Sequence, residues 1–106
     1  MKIEWSPLSI TDRESIFDYI EADSSRAAAE VDDRIEQAVD GLAEFPEMGR
    51  PGRVAGTREL VIAGTPYLAA YLIAGNAVRI LRLLHGAQQW PEEMSEKTGQ
   101  DIYKIG

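Results

Sequence analysis

The chain has no cysteine among its 106 residues and a single histidine, His85. The first absence excludes disulfides, thiolate-bound zinc and a cysteine nucleophile, and the second excludes a multi-histidine metal centre. No metal or other cofactor is therefore expected. No apolar run approaches the ~20 residues that cross a bilayer. Met1-Lys2-Ile3-Glu4-Trp5 has its one lysine but no apolar stretch behind it, which is not the pattern of a secretory signal. A soluble, cytoplasmic protein with no membrane partner is expected. Basic charge is scarce as well: 11 Lys and Arg stand against 18 Asp and Glu, for a net charge of −7.

The basic charge that is present is concentrated. The first 49 residues hold four basic and 13 acidic side chains. From Arg50 to Pro91 there are five arginines (Arg50, Arg53, Arg58, Arg79, Arg82) and one acid, Glu59. Net charge says little about fold but bears on partners. A cationic stretch inside an acidic chain is the first candidate for function.

Length and composition fit one domain with its own core: 44% of residues are hydrophobic and 27% charged, as in ordinary globular proteins. Ile3 and Trp5, separated by Glu4, predict a short first strand. Ser6-Pro7 predicts a helix start, with a capping hydroxyl before a proline at the first helical position. Leu8, Ile10, Ile16, Phe17 and Ile20 give that helix an apolar stripe to about residue 22, where Asp23-Ser24-Ser25 breaks it. Ala28, Val31, Ile35, Ala38, Leu42 and Phe45 recur at spacings of three and four, the buried face of a second helix that Pro46 ends. Residues 47–57 are expected to be a surface loop, given Gly49, Pro51, Gly52 and Gly56. Three strands follow, at 59–62, 67–73 and 77–84, the last two joined by Ala74-Gly75-Asn76. A short helix near Glu92–Thr98 closes the pattern.

The order β-α-α-β-β-β predicts an α+β fold. A helical hairpin should cover one face of a small, mainly antiparallel four-stranded sheet and leave the other face open. Strict alternation would put Arg82 and Leu84 on one face of the last strand and Arg79, Leu81, Leu83 and His85 on the other. An arginine interrupting an apolar strand must meet a carboxylate or face an interaction groove. The acidic total argues against free nucleic acid as the main ligand and favours a protein partner lying across the open face.

Particular residues add to this pattern. They are Trp5-Ser6-Pro7, Asp18-Tyr19-Ile20, Phe45-Pro46-Glu47-Met48-Gly49-Arg50, Gly56-Thr57-Arg58-Glu59-Leu60, Gly64-Thr65-Pro66-Tyr67 with Tyr71, and Ile80 through Ala87 with Trp90-Pro91. In this order the chain resembles the RelE/ParE superfamily of toxins from type II toxin–antitoxin pairs. The resemblance covers residues 1–94 and leaves 95–106 as a polar tail. It implies a toxin neutralised by a cognate antitoxin, with operator DNA reached only through that antitoxin. RelE-like members cleave mRNA on the translating ribosome, whereas ParE-like members inhibit DNA gyrase. Where RelE-like nucleases carry an arginine before a strand tyrosine this chain has Leu68, and their residue after the last strand falls near Gly86-Ala87. Neither can stabilise a phosphorane or move a proton. The ParE-like branch is therefore expected. The alternatives are an endoribonuclease using His85, Arg82 and Arg58, or a degenerate member that binds antitoxin without toxicity.

Candidate target- or antitoxin-binding residues are Arg50, Arg53, Arg58, Arg79, Arg82, His85 and Trp90. Each has a plainer reading: an arginine paired at a strand start, a histidine orienting the last turn, aromatics in the core. An antitoxin carrying basic residues where it wraps the acidic helices would complement this chain.

Overall fold

Ser6 sets the start of the first helix. In the computed structural model, which describes residues 1–86, strand β1 (Lys2–Trp5) ends just before it and helix α1 (Pro7–Glu21) begins just after. The Ser6 hydroxyl accepts from the Ser9 N–H at 3.1 Å and donates to the Leu81 carbonyl at 2.9 Å. One side chain thus caps the helix and docks it on the sheet. Ser24 caps helix α2 (Ser25–Gly41) in the same way, accepting from Ala27 N–H at 3.1 Å. The short connection forces the two helices into an antiparallel hairpin. Arg13 clamps it: its guanidinium donates to both Asp32 oxygens at 2.7 and 3.0 Å and lies over the Trp5 ring at 5.1 Å.

The predicted stripe of α2 is buried at Ala28, Ile35 and Leu42, with Val31 and Ala38 half-buried and Val39 added. Phe45 is a correction: it is 58% exposed. The helix ends at Gly41, and Leu42, Ala43 and Glu44 bond back to Val39, Asp40 and Gly41, three residues each. These tighter turns rotate Phe45 off the apolar face although the sequence spacing continues. The α1 stripe is also shallower than expected. Ile16, Phe17 and Ile20 are half-buried, Leu8 and Ile10 are exposed, and the one fully buried residue is Ser9.

Strands β2 (Arg50–Pro51), β3 (Arg58–Val61), β4 (Tyr67–Ala74) and β5 (Ala77–His85) complete a sheet ordered β1-β5-β4-β3-β2. β1 runs parallel to β5 and the remaining pairs are antiparallel. The α+β class with its N-terminal helical hairpin is as expected, and β2 adds a fifth strand inside the segment expected to be loop. β5 extends past the end of β1, and α1 takes over that edge. Leu83 N–H donates to the Asp12 carboxylate at 3.0 Å, so a side chain replaces the missing strand partner.

Ala70 pairs with Arg82 while Tyr71 pairs with Ile80, so Leu81 is an extra residue in β5. This bulge switches the alternation. Val78, Ile80 and Leu83 face the helices, packing with Ile35, Val39, Leu42, Leu60, Ile62, Ala69 and Tyr71. Leu81 and Leu84 face the other way with Leu68, Ala70 and Leu72. Arg79 pairs with Leu72 and Arg82 with Ala70, so both arginines share that outer face, correcting the expected division. The outer face is not bare either. Its five apolar residues are each 5% exposed or less, and Val54 packs against them. Among the described residues no helix is long and apolar enough to cross a membrane. The helix expected near 92–98, the boundary expected after residue 94 and Trp90 lie outside the described residues.

Candidate functional site

Every arginine of the central stretch lies within 3.8 Å of a carboxylate of the same chain. Arg82 meets Asp12 of α1 through Nε at 2.7 Å and Nη2 at 3.0 Å, and the two side chains are only 15% and 16% exposed. Arg79 meets Glu4, its register partner in β1, at 3.2 Å. Arg50 and Arg53 converge on Glu59, whose carboxylate is 2% exposed and also accepts from the Arg53 backbone N–H at 3.0 Å. Arg58 donates to the Gly49 carbonyl at 2.7 Å and the Glu47 carbonyl at 3.3 Å, with the Glu47 carboxylate 3.8 Å away.

The expected cationic patch is therefore a set of internal ion pairs. Across the outer face, Arg50, Glu59, Ala70 and Arg82 occupy one cross-strand row, which Asp12 ends. The physical reason is the cost of leaving a charge on an apolar strand uncompensated. Asp12 lies 70 residues from Arg82 and Glu4 lies 75 from Arg79, distances over which no local pattern reveals a pair.

The residues proposed for a nuclease are not brought together. His85 is exposed at the end of β5, opposite Tyr67, with ring centroids 5.8 Å apart and planes at 81°. It shares the helix-side parity of Leu83, whereas Arg82 points to the outer face. Arg58 pairs with Tyr71, four residues along β4 from Tyr67, a separation of roughly 13 Å at strand spacing. Leu68, standing where a RelE-like arginine would be, is buried in the outer apolar cluster. Among the described residues no group of three or more His, Asp or Glu is placed to hold a metal ion.

Two surfaces carry features that charge counting misses. Trp5, Ile10 and Phe17 floor a groove of about 490 Å³ rimmed by Glu14, Asp18 and Asp32, with Arg13 across it. Ile10 and Phe17, seven residues apart on α1, were its signal in the sequence. The second surface is the turn after α2, where Phe45 and Met48 are 58% and 56% exposed. That turn is held from behind. The Tyr71 hydroxyl donates to Pro46 O at 2.7 Å and accepts from Gly49 N–H at 2.9 Å. Burial pushes the Tyr71 phenol above its ordinary pKa, against the opposing effects of the Gly49 N–H and Arg58; burial raises Tyr67 too.

The profile of the ParE toxin of type II toxin–antitoxin systems, parDE, matches residues 3–90. The Y4kP protein of Sinorhizobium fredii is 47% identical over 91 residues, covering 86% of this chain and 94% of its own. Toxin RelE2 of Caulobacter vibrioides is 38% identical over 87 residues, covering 82% and 97%. A solved structure of the chromosomal ParDE system from P. aeruginosa superposes with a TM-score of 0.72 at 26% identity, covering 80% of this chain and 95% of that one. These relatives carry both ParE and RelE names, so nomenclature does not distinguish the two chemistries.

Proposed function

Because the chain belongs to the ParE toxin family of type II toxin–antitoxin systems, we propose that it arrests growth by binding DNA gyrase without covalent chemistry. Its cognate antitoxin blocks that binding. The observation that carries this reading is the dispersal of His85, Arg82 and Arg58 over both faces and over two strands, β5 and β3, that β4 separates, with Arg82 engaged by Asp12. Activating a ribose 2′-hydroxyl needs a proton-transfer group and a phosphate-stabilising cation within hydrogen-bond reach of one site. A binding toxin needs only a surface. The acidic helices favour an antitoxin segment with basic residues where it passes over them, and operator DNA is reached through the antitoxin.

Gyrase supercoiling measured at increasing toxin concentration is the direct test. Inhibition at micromolar toxin is expected, relieved by stoichiometric antitoxin. The RelE name of one relative makes ribosome-dependent mRNA cleavage the rival reading. Primer extension on translated mRNA separates the two: His85→Ala should leave growth arrest intact here, and loss of mRNA cleavage in that variant would establish the rival.

A further inference from the structure

The turn between α2 and β2 presents two large apolar side chains on an unusually well braced backbone. Phe45 and Met48 are more than half exposed, yet the segment carrying them is fixed at successive points. Phe45 N–H donates to Gly41 O at 3.0 Å and Met48 N–H to Phe45 O at 3.1 Å. Behind them the Tyr71 hydroxyl ties down Pro46 and Gly49, and Arg58 bonds the carbonyls of Glu47 and Gly49. Gly49 has no room for a side chain: a Cβ there would lie 2.7 Å from the Tyr71 oxygen and 3.0 Å from the Glu59 carbonyl. A braced anchor loses little conformational freedom when it binds, which is the property that turns an exposed aromatic into a binding hot spot.

The surroundings specify the partner. Residues 35–49 contain no lysine or arginine, and Glu36, Asp40, Glu44 and Glu47 are all exposed. This field repels phosphate backbones and attracts basic protein surface. Phe45 and Met48 line an open, shallow depression together with Glu44, Pro46 and Glu47, so the apolar contact they offer is ringed by carboxylates and complements an apolar patch flanked by basic side chains on a partner. We propose that Phe45 and Met48 pack against an apolar patch of the target protein that is rimmed by lysine or arginine, with Glu44 and Glu47 facing that rim. This rests on the reading that the toxin acts by binding a protein, and deepens it by naming the contact.

The test compares wild type, Phe45→Ala/Met48→Ala and Glu44→Lys/Glu47→Lys for binding to purified gyrase and for inhibition of supercoiling, with melting curves as the folding control. The alanine pair should weaken binding by at least about 30-fold with an unchanged melting temperature. The lysine pair should weaken it too and flatten its salt dependence. Gyrase binding at wild-type affinity by either folded variant overturns the proposal. If wild type does not bind gyrase at all, the choice of target fails separately, and growth arrest on induction becomes the readout. Arrest lost with the alanine pair then supports this surface with another protein as target, whereas arrest retained overturns it.

Discussion

Replacing Asp12 with alanine should destabilise the protein more than most surface substitutions do. The Asp12 carboxylate takes three hydrogen bonds, two from the Arg82 guanidinium at 2.7 and 3.0 Å and one from Leu83 N–H at 3.0 Å. Both side chains are about five-sixths shielded from water. Breaking a buried pair from one side costs about 3–5 kcal/mol because a charge remains in a poorly solvated place. Allowing for the residual exposure of this pair, the expected loss is about 2–4 kcal/mol. In a domain of this size each kcal/mol lowers the melting temperature by roughly 4–8 °C, so a fall of about 8–32 °C is expected. Urea unfolding followed by circular dichroism checks it, with an unchanged denaturant slope showing that the folded state is retained. Removing the charge from both sides, as in Asp12→Leu/Arg82→Met, should recover much of the loss, since no uncompensated charge is left. Asp12→Ala with stability within about 0.5 kcal/mol of wild type would refute the reasoning. Arg82 would then not be committed to the fold.

Two substitutions probe the bracing of the 45–49 turn. Tyr71→Phe leaves Gly49 N–H and Pro46 O without their shared partner and should cost about 1–3 kcal/mol at neutral pH, read from the urea midpoint. The Tyr71 and Tyr67 phenols are held above the ordinary value of 10.0. The stability they contribute is thus complete below pH 10 and is lost as pH rises through the higher folded-state values. The phenylalanine variant should show a shallower alkaline decline than wild type, and an identical decline would contradict the assignment to Tyr71. Gly49→Ala forces its Cβ against the Tyr71 oxygen and the Glu59 backbone and should cost about 1–3 kcal/mol by overpacking. A melting temperature equal to wild type would show that the turn is looser than described.

The parts of this fold that were legible in the sequence are those set by local chemistry. Ser6-Pro7 marked a helix start because a hydroxyl beside free N–H groups is a short-range arrangement, and Asp23-Ser24-Ser25 marked the break between the two helices. Ala28, Ile35 and Leu42 declared their buried face through spacing alone. The 67–74 and 77–85 strands stood out as apolar runs around Gly75, which adopts φ 61° in the turn. What escaped depended on distant partners or single-residue irregularities. β2 is two residues long and exists because Arg50 and Pro51 lie beside Glu59 and Arg58. The bulge at Leu81 reverses the facing of half a strand, so alternation placed Arg79 and Arg82 on opposite sides when they share one. Phe45 kept the spacing of α2 after the helix had tightened and ended. The arginines were conspicuous by type, but Asp12, Glu4 and Glu59, which neutralise them, were hidden among 18 acidic residues. Hence the arginines that stood out in the composition are each partnered within the chain, and the contact surface proposed here is an acidic one bearing an exposed aromatic.

A toxin that occupies a protein and one that cuts a nucleic acid leave different traces in the cell. Following reporter-plasmid superhelicity and the 5′ ends of translated mRNA in the same cells after induction decides between them. Progressive loss of negative supercoiling with intact mRNA, preserved in His85→Ala, is the predicted result. Codon-phased mRNA cleavage that precedes any topological change, and disappears in His85→Ala, would contradict it.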